Sequence, residues 1–216
     1  MTIHITANPL ETGTDELERL ALEECIKRQR VDHQVSIMVM PAGRCEIAIQ
    51  FARMGAHVTI ADLPEHKRET EGRILAAGLS EEIRFLPCNF PEPPDSPPGK
   101  PFDLIVMRRG LCGLPYNEAK QVTRRILQQL KIGGKLYLSI LGLHSELSEG
   151  YAARDQVIND RFAELSPTLA EKYDIRGPVS LYTERNLFML LLEAGGSVLR
   201  TLTTTYGNVK GIAVRV

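Results

Sequence analysis

No stretch of this sequence stays apolar for the roughly 20 residues that a membrane-spanning helix requires. Neither sign of charge dominates. The formal net charge is -1, so no global field draws the chain toward nucleic acid or an anionic lipid surface. Its cysteines, Cys25, Cys45, Cys88 and Cys112, are scattered, with no CxxC spacing and no paired histidine. That pattern suits neither a zinc site nor a disulfide framework. The first twenty residues have no basic start and no apolar signal core. Together these absences predict a reduced, cytoplasmic protein without a metal, a nucleic-acid partner or a membrane partner. One further shortage carries more weight. Glycine is almost missing from the single loop where the surrounding pattern calls for it.

That loop lies in residues 35–65. An apolar run from Val35 to Met40 meets a turn at Pro41, Ala42 and Gly43. A helical spacing follows, with Ile47, Ala48, Phe51 and Ala52 on one face, and Gly55 closes it. A second apolar run, His57 to Ala61, ends on Asp62. Strand, tight turn, helix, strand and carboxylate make the first half of a nucleotide-binding βαβ unit. The turn puts backbone N–H groups and a helix N-terminus where an anionic group can sit. Asp62 falls about 20 residues past Gly43, the offset at which such units place a ribose-binding acid. At a strand end it is expected to contribute little to stability.

The remaining pattern predicts one domain over residues 1–216, large enough to bury roughly 70% of its unfolded surface. An amphipathic helix is expected over 14–30, capped by Thr14, and another over about 65–77, stopped by Gly78. A third strand covers Ile83 to Pro87 and a fourth Phe102 to Met107. Between them, residues 91–101 are too rich in proline for a helix. An extended segment at about 3.1 Å per residue still spans three inter-strand gaps of about 4.8 Å. A helix over about 116–131, broken at Gly133 and Gly134, leads into a strand from Lys135 to Leu141. Residues 142–180 read as a polar, partly helical, lid-like insertion without strand character. A last helix, Glu184 to Ala194, precedes two strands over 197–205 and 211–216, turning at Tyr206, Gly207 and Asn208. This alternation predicts an α/β fold with a mostly parallel sheet, helices on both faces and an antiparallel pair at the end.

Three stretches, 35–65, 102–140 and 181–216, resemble class I S-adenosylmethionine-dependent methyltransferases of the small bacterial kind. The likeness covers about residues 14–216, and Leu130-Lys131-Ile132-Gly133-Gly134 is its most specific motif. It implies a doubly wound, Rossmann-like sheet of seven strands in the order 3-2-1-4-5-7-6. It also implies S-adenosylmethionine as cofactor and methyl transfer to a small or medium-sized acceptor. By position, Pro41, Ala42 and Gly43 would meet the methionine part and Asp62 the ribose hydroxyls. Leu63 would lie beside the adenine, Asn89 would bond its amino group and Phe90 would stack nearby. Arg108 would border both cofactor and acceptor. No catalytic residue is assigned, because in-line methyl displacement often needs no strong general base.

The sequence departs from the family at the loop. Ile37 stands where the family usually has an acid, and Val39 and Pro41 where it usually has glycines. Side chains there limit the approach of backbone to ligand, and Pro41 removes an N–H donor. A non-catalytic domain that kept the fold and lost the cofactor therefore stays open. So does a short-chain-dehydrogenase reading, on Tyr116-Asn117-Glu118-Ala119-Lys120, although no serine precedes the tyrosine at the expected spacing. His144 after the fifth strand is a candidate base. Cys45 opens a helix but lacks a histidine partner, which predicts an inert packed thiol.

Overall fold

The computed structural model of the protein describes residues 16–31, 34–89, 92, 99 and 101–216. Strands β1 (Ser36–Met40), β2 (His57–Asp62), β3 (Ile83–Pro87), β4 (Phe102–Arg108) and β5 (Leu130–Ile140) lead into a separate short pair, β6 (Phe162–Ala163) and β7 (Val179–Ser180). Strands β8 (Gly196–Thr203) and β9 (Val209–Arg215) complete the main sheet, ordered β3-β2-β1-β4-β5-β9-β8. Only β9 runs against its neighbours. With the short pair set aside, this is the expected order. Helices α1 (Glu16–Gln29), α2 (Glu46–Arg53) and α3 (Lys67–Ala76) precede β3, and α4 (Tyr116–Gln128), α5 (Pro167–Lys172) and α6 (Glu184–Glu193) follow β4.

Strand side chains alternate between two cores, as a sheet covered on both faces requires. Ile37, Val39, Leu104, Val106 and Tyr137 pack with Leu17, Ala21, Ile47 and Phe51 of α1 and α2. Met38, Met40, Ile105, Met107, Leu136 and Leu138 pack toward α4, α6 and the segment after β5. Val39 is therefore a core residue under α2, and its side chain does not project into the loop that follows.

Two boundaries and the reading of one segment differ from expectation. Helix α4 stops at Gln128, and β5 begins at Leu130, ahead of the glycines. The cause is early sheet pairing: the Phe102 N–H donates to the Gln129 carbonyl at 2.9 Å, and Leu130 sits opposite Phe102. The register then slips before Leu104 meets Lys135, and Gly133 (φ 76) and Gly134 absorb the slip. A Cβ on Gly134 would lie 2.8 Å from the Lys131 carbonyl, so the motif is a bulge inside a strand. Residues 142–180 do contain strand, the β6–β7 pair. They also send Leu147, Tyr151, Leu165, Tyr173 and Ile175 into the core shared with α4 and α6. Thr14, His33, Phe90 and most of the predicted crossover at 91–101 lie outside the described residues.

Two clamps hold this frame. At the N-terminal edge of the sheet, Asp103 is 1% exposed and accepts two bonds from Lys131 Nζ at 2.8 and 2.9 Å. It also accepts from the Ser36 N–H at 2.9 Å, and Arg28 Nη1 lies 3.6 Å away. At the other end the β8–β9 turn presses on the segment after β5. A Cβ on Gly142 would sit 1.6 Å from the Gly207 carbonyl oxygen, and one on Gly207 (φ +79) only 2.4 Å from the His144 backbone.

Candidate functional site

Strand β1 runs into the turn at the C-terminal edge of the sheet. Pro41 is exposed there, Ala42 is buried and Gly43 is exposed again. Gly43 takes φ 52, and nothing lies within 4 Å of the position its Cβ would occupy. The turn closes through the Cys45 N–H, which donates to the Ala42 carbonyl at 2.9 Å. Arg73 of α3 holds the Gly43 carbonyl from outside at 2.6 Å.

Asp62, the last residue of β2, faces this turn and is 9% exposed. Its Oδ2 accepts the Ala42 N–H at 2.8 Å. Its Oδ1 accepts the Leu63 N–H at 2.8 Å and meets His66 Nδ1 at 3.0 Å. Asp62 therefore braces the β1 turn against the end of β2. The expectation of little structural role is corrected, because removing the carboxylate strands two backbone donors in a buried setting. Leu63 is also at the edge of burial, at 9%. The β3 end is tied in through the Cys88 N–H, which donates to the Asp62 carbonyl at 2.8 Å, and Asn89 beyond it is exposed.

Arg108 ends β4 on the α1 face, and its guanidinium reaches Glu18 of α1 at 2.7 Å. Register places Arg108 beside Ser139 of β5, and Ser139 beside Lys210 of β9. Glu18, Ser139 and Lys210 are 6%, 3% and 2% exposed. Arg108 was a candidate from the sequence, but its neighbours Glu18, Ser139 and Lys210 escaped that reading. Their one available signal was a lysine inside the apolar strand Val209–Arg215. His66 escaped too, since only the turn after β2 brings it back to Asp62.

A carboxylate offers about four acceptor positions. Ala42, Leu63 and His66 occupy three, so Oδ2 retains room for one hydroxyl of a ribose. With the open side of Gly43, the residues present fit the sugar and the chain beyond it of the cofactor that the resemblance implies. Pro41, Ala42, Gly43, Asp62, Leu63, Asn89 and Arg108 all stand at the same sheet edge, and Phe90 is outside the described residues.

The other candidates do not assemble. Burial pushes the Tyr116 hydroxyl up to about 12, with Glu193 adding to the effect. Lys120 Nζ lies over the Tyr116 ring, 5.9 Å from its centre, and its ion pair is with Glu193 at 3.1 Å. A dehydrogenase pair needs the opposite, a tyrosine made acidic by its lysine. Burial raises the Cys45 thiol, and it raises Cys25 and Cys88 to about 11 and Cys112 to about 12, which leaves all four as poor nucleophiles. His144 is exposed. Among the described residues, no helix is long and apolar enough to cross a membrane.

No protein-family model matches the chain, and no curated protein does. Solved structures do. An S-adenosylmethionine-dependent methyltransferase of Methanosarcina mazei is similar at a TM-score of 0.65 and 22% identity, over 88% of this chain and 97% of its own. The chain has a class I methyltransferase-like fold. The S-adenosylmethionine-dependent methyltransferase SibL is similar at a TM-score of 0.61 and 16% identity over 92% of this chain, which spans 55% of SibL. The cyclase SpnF is similar at a TM-score of 0.62 and 16% identity, over 96% of this chain and 67% of its own. At such identities the likeness concerns fold alone, and SpnF is a reminder that one fold hosts several chemistries.

Proposed function

We propose that this protein transfers a methyl group from S-adenosylmethionine to a small or medium-sized acceptor. The observation that carries this reading is Asp62, which ends β2 with its carboxylate turned to the Ala42 N–H of the β1 turn. Bound at that edge, S-adenosylmethionine supplies an electrophilic methyl group on its sulfonium. The chain's own part is positioning and the exclusion of water. Asp62 Oδ2 accepts a ribose hydroxyl, the open face of Gly43 admits the methionine part, and Leu63 and Asn89 flank the adenine. Arg108, steadied by Glu18, borders the acceptor side. A calorimetric titration with S-adenosylhomocysteine tests the reading, with NAD(H) and NADP(H) as comparators. Binding of the first and not of the others is the expected outcome.

A second reading has its own observation. Three acceptor positions of Asp62 are already filled by the chain itself, and Pro41 offers no N–H. A scaffold domain that has given up its cofactor would look like this. It predicts no heat of binding and no thermal shift at millimolar S-adenosylhomocysteine.

A further inference from the structure

The three groups on Asp62 are not equally fixed. Ala42 and Leu63 donate from the backbone, and neither N–H can leave without moving the β1 turn or the end of β2. His66 donates from a side chain that is 34% exposed and sits one turn further on, just ahead of α3. Its backbone is set independently, the His66 N–H donating to the Leu63 carbonyl at 3.0 Å. The imidazole is thus the one partner of the three whose departure from Asp62 moves a side chain and neither backbone segment. Nδ1 donates to the carboxylate when the ring carries a proton on that nitrogen.

A ribose presents two adjacent hydroxyls. Oδ2 has one free position, so it takes the first. The second needs a position on Oδ1, where Leu63 and His66 already sit. We propose that His66 is a latch on the ribose site, which a cis-diol must displace from Asp62 Oδ1 before both hydroxyls bind. This rests on the cofactor reading of Asp62. In the wild type the second hydroxyl replaces an existing hydrogen bond instead of adding one. Affinity and discrimination for the diol are both held down, while the empty site stays ordered. His66 is a positioning residue, and its effect falls on ligand binding and not on the reacting atoms.

The test measures calorimetric affinity for S-adenosylhomocysteine and for its 2′-deoxyribose analogue in wild type, His66→Ala and His66→Asn. Alanine removes the donor. Asparagine restores an N–H close to where Nδ1 stands, and it also controls for loss of the ring. His66→Ala is expected to bind S-adenosylhomocysteine about threefold to tenfold more tightly, the worth of one net hydrogen bond. Its preference for ribose over deoxyribose should widen by about the same factor, and His66→Asn should return both values toward wild type. Wild-type binding with no gain in His66→Ala, or a gain equal for both ligands, overturns the latch and leaves the cofactor reading standing. No binding of S-adenosylhomocysteine by any of the three overturns both.

Discussion

The sheet carries a buried aspartate at each edge, and the two are held in opposite ways. Asp103, at the N-terminal edge, faces full charges: two bonds from Lys131, with Arg28 nearby. Asp62, at the C-terminal edge, faces two backbone N–H groups and one imidazole. Asp103 is buried while Lys131 is 39% exposed, so the carboxylate depends on its cations and the lysine can turn to water. A carboxylate held by backbone donors keeps its charge and trades hydrogen bonds at small net cost. One edge is thereby committed to structure, while the other holds its carboxylate ready for a hydroxyl-bearing ligand. The family-like Leu130 to Gly134 motif belongs to the first edge, far from the site, and its lysine serves Asp103.

The largest test of this contrast is Asp103→Ala, expected to cost about 1–3 kcal/mol in urea unfolding, as the Ser36 N–H loses its acceptor, and to leave S-adenosylhomocysteine affinity unchanged in whatever fraction stays folded. A loss below about 1 kcal/mol would erase the distinction between the edges. Asp62→Ala should show the reverse profile. Stability falls by about 1–2 kcal/mol as two backbone donors lose their acceptor, and ligand affinity falls roughly tenfold to hundredfold. Unchanged affinity would move Asp62 to the structural side of the comparison.

The smallest effect belongs to Glu24, whose carboxyl is the charged anchor of α1 on β5. Burial pushes it up, but hydrogen bonds from Lys135 and Arg28 more than offset this and hold it below the ordinary glutamate range. Its contribution is therefore complete at neutral pH and lost as acid titrates the folded protein, below about pH 4. Unfolding free energies from urea titrations at about pH 6.5 and about pH 3.5 should differ more in wild type than in Glu24→Gln, by less than about 1 kcal/mol. Equal pH dependence in the two proteins would remove Glu24 from the acid response.

Much of the frame was legible in the sequence, because apolar runs that end at turns and glycine-stopped helices are local signals. The order of the seven strands came from the resemblance, and the structure has it. The start of β5 was misread, since Gly133 and Gly134 look like a break and only the pairing with Phe102 reveals a bulge. β6 and β7 are two residues each, too short for any period to register. At the site, the positions of Ala42 and Asp62 were legible and the hydrogen bond joining them was not. The Arg108, Ser139 and Lys210 row depends on register across three strands, which no local pattern carries.

The contact between Gly142 and Gly207 has a consequence for how the last hairpin finds its partner. Strand β8 lies at the sheet edge, and only Gly196 among its residues is buried, so burial does little to choose its alignment with β9. The turn supplies that choice. A slip by one residue would bring Tyr206 or Asn208 to the place where even a single methyl group has no room. A misaligned hairpin cannot seat against the segment after β5, and β9 then cannot complete its ladder with β5. Selection of one register out of several nearly equal ones is thus made by two glycines, whose hydrogens alone fit against the Gly207 carbonyl and the His144 backbone.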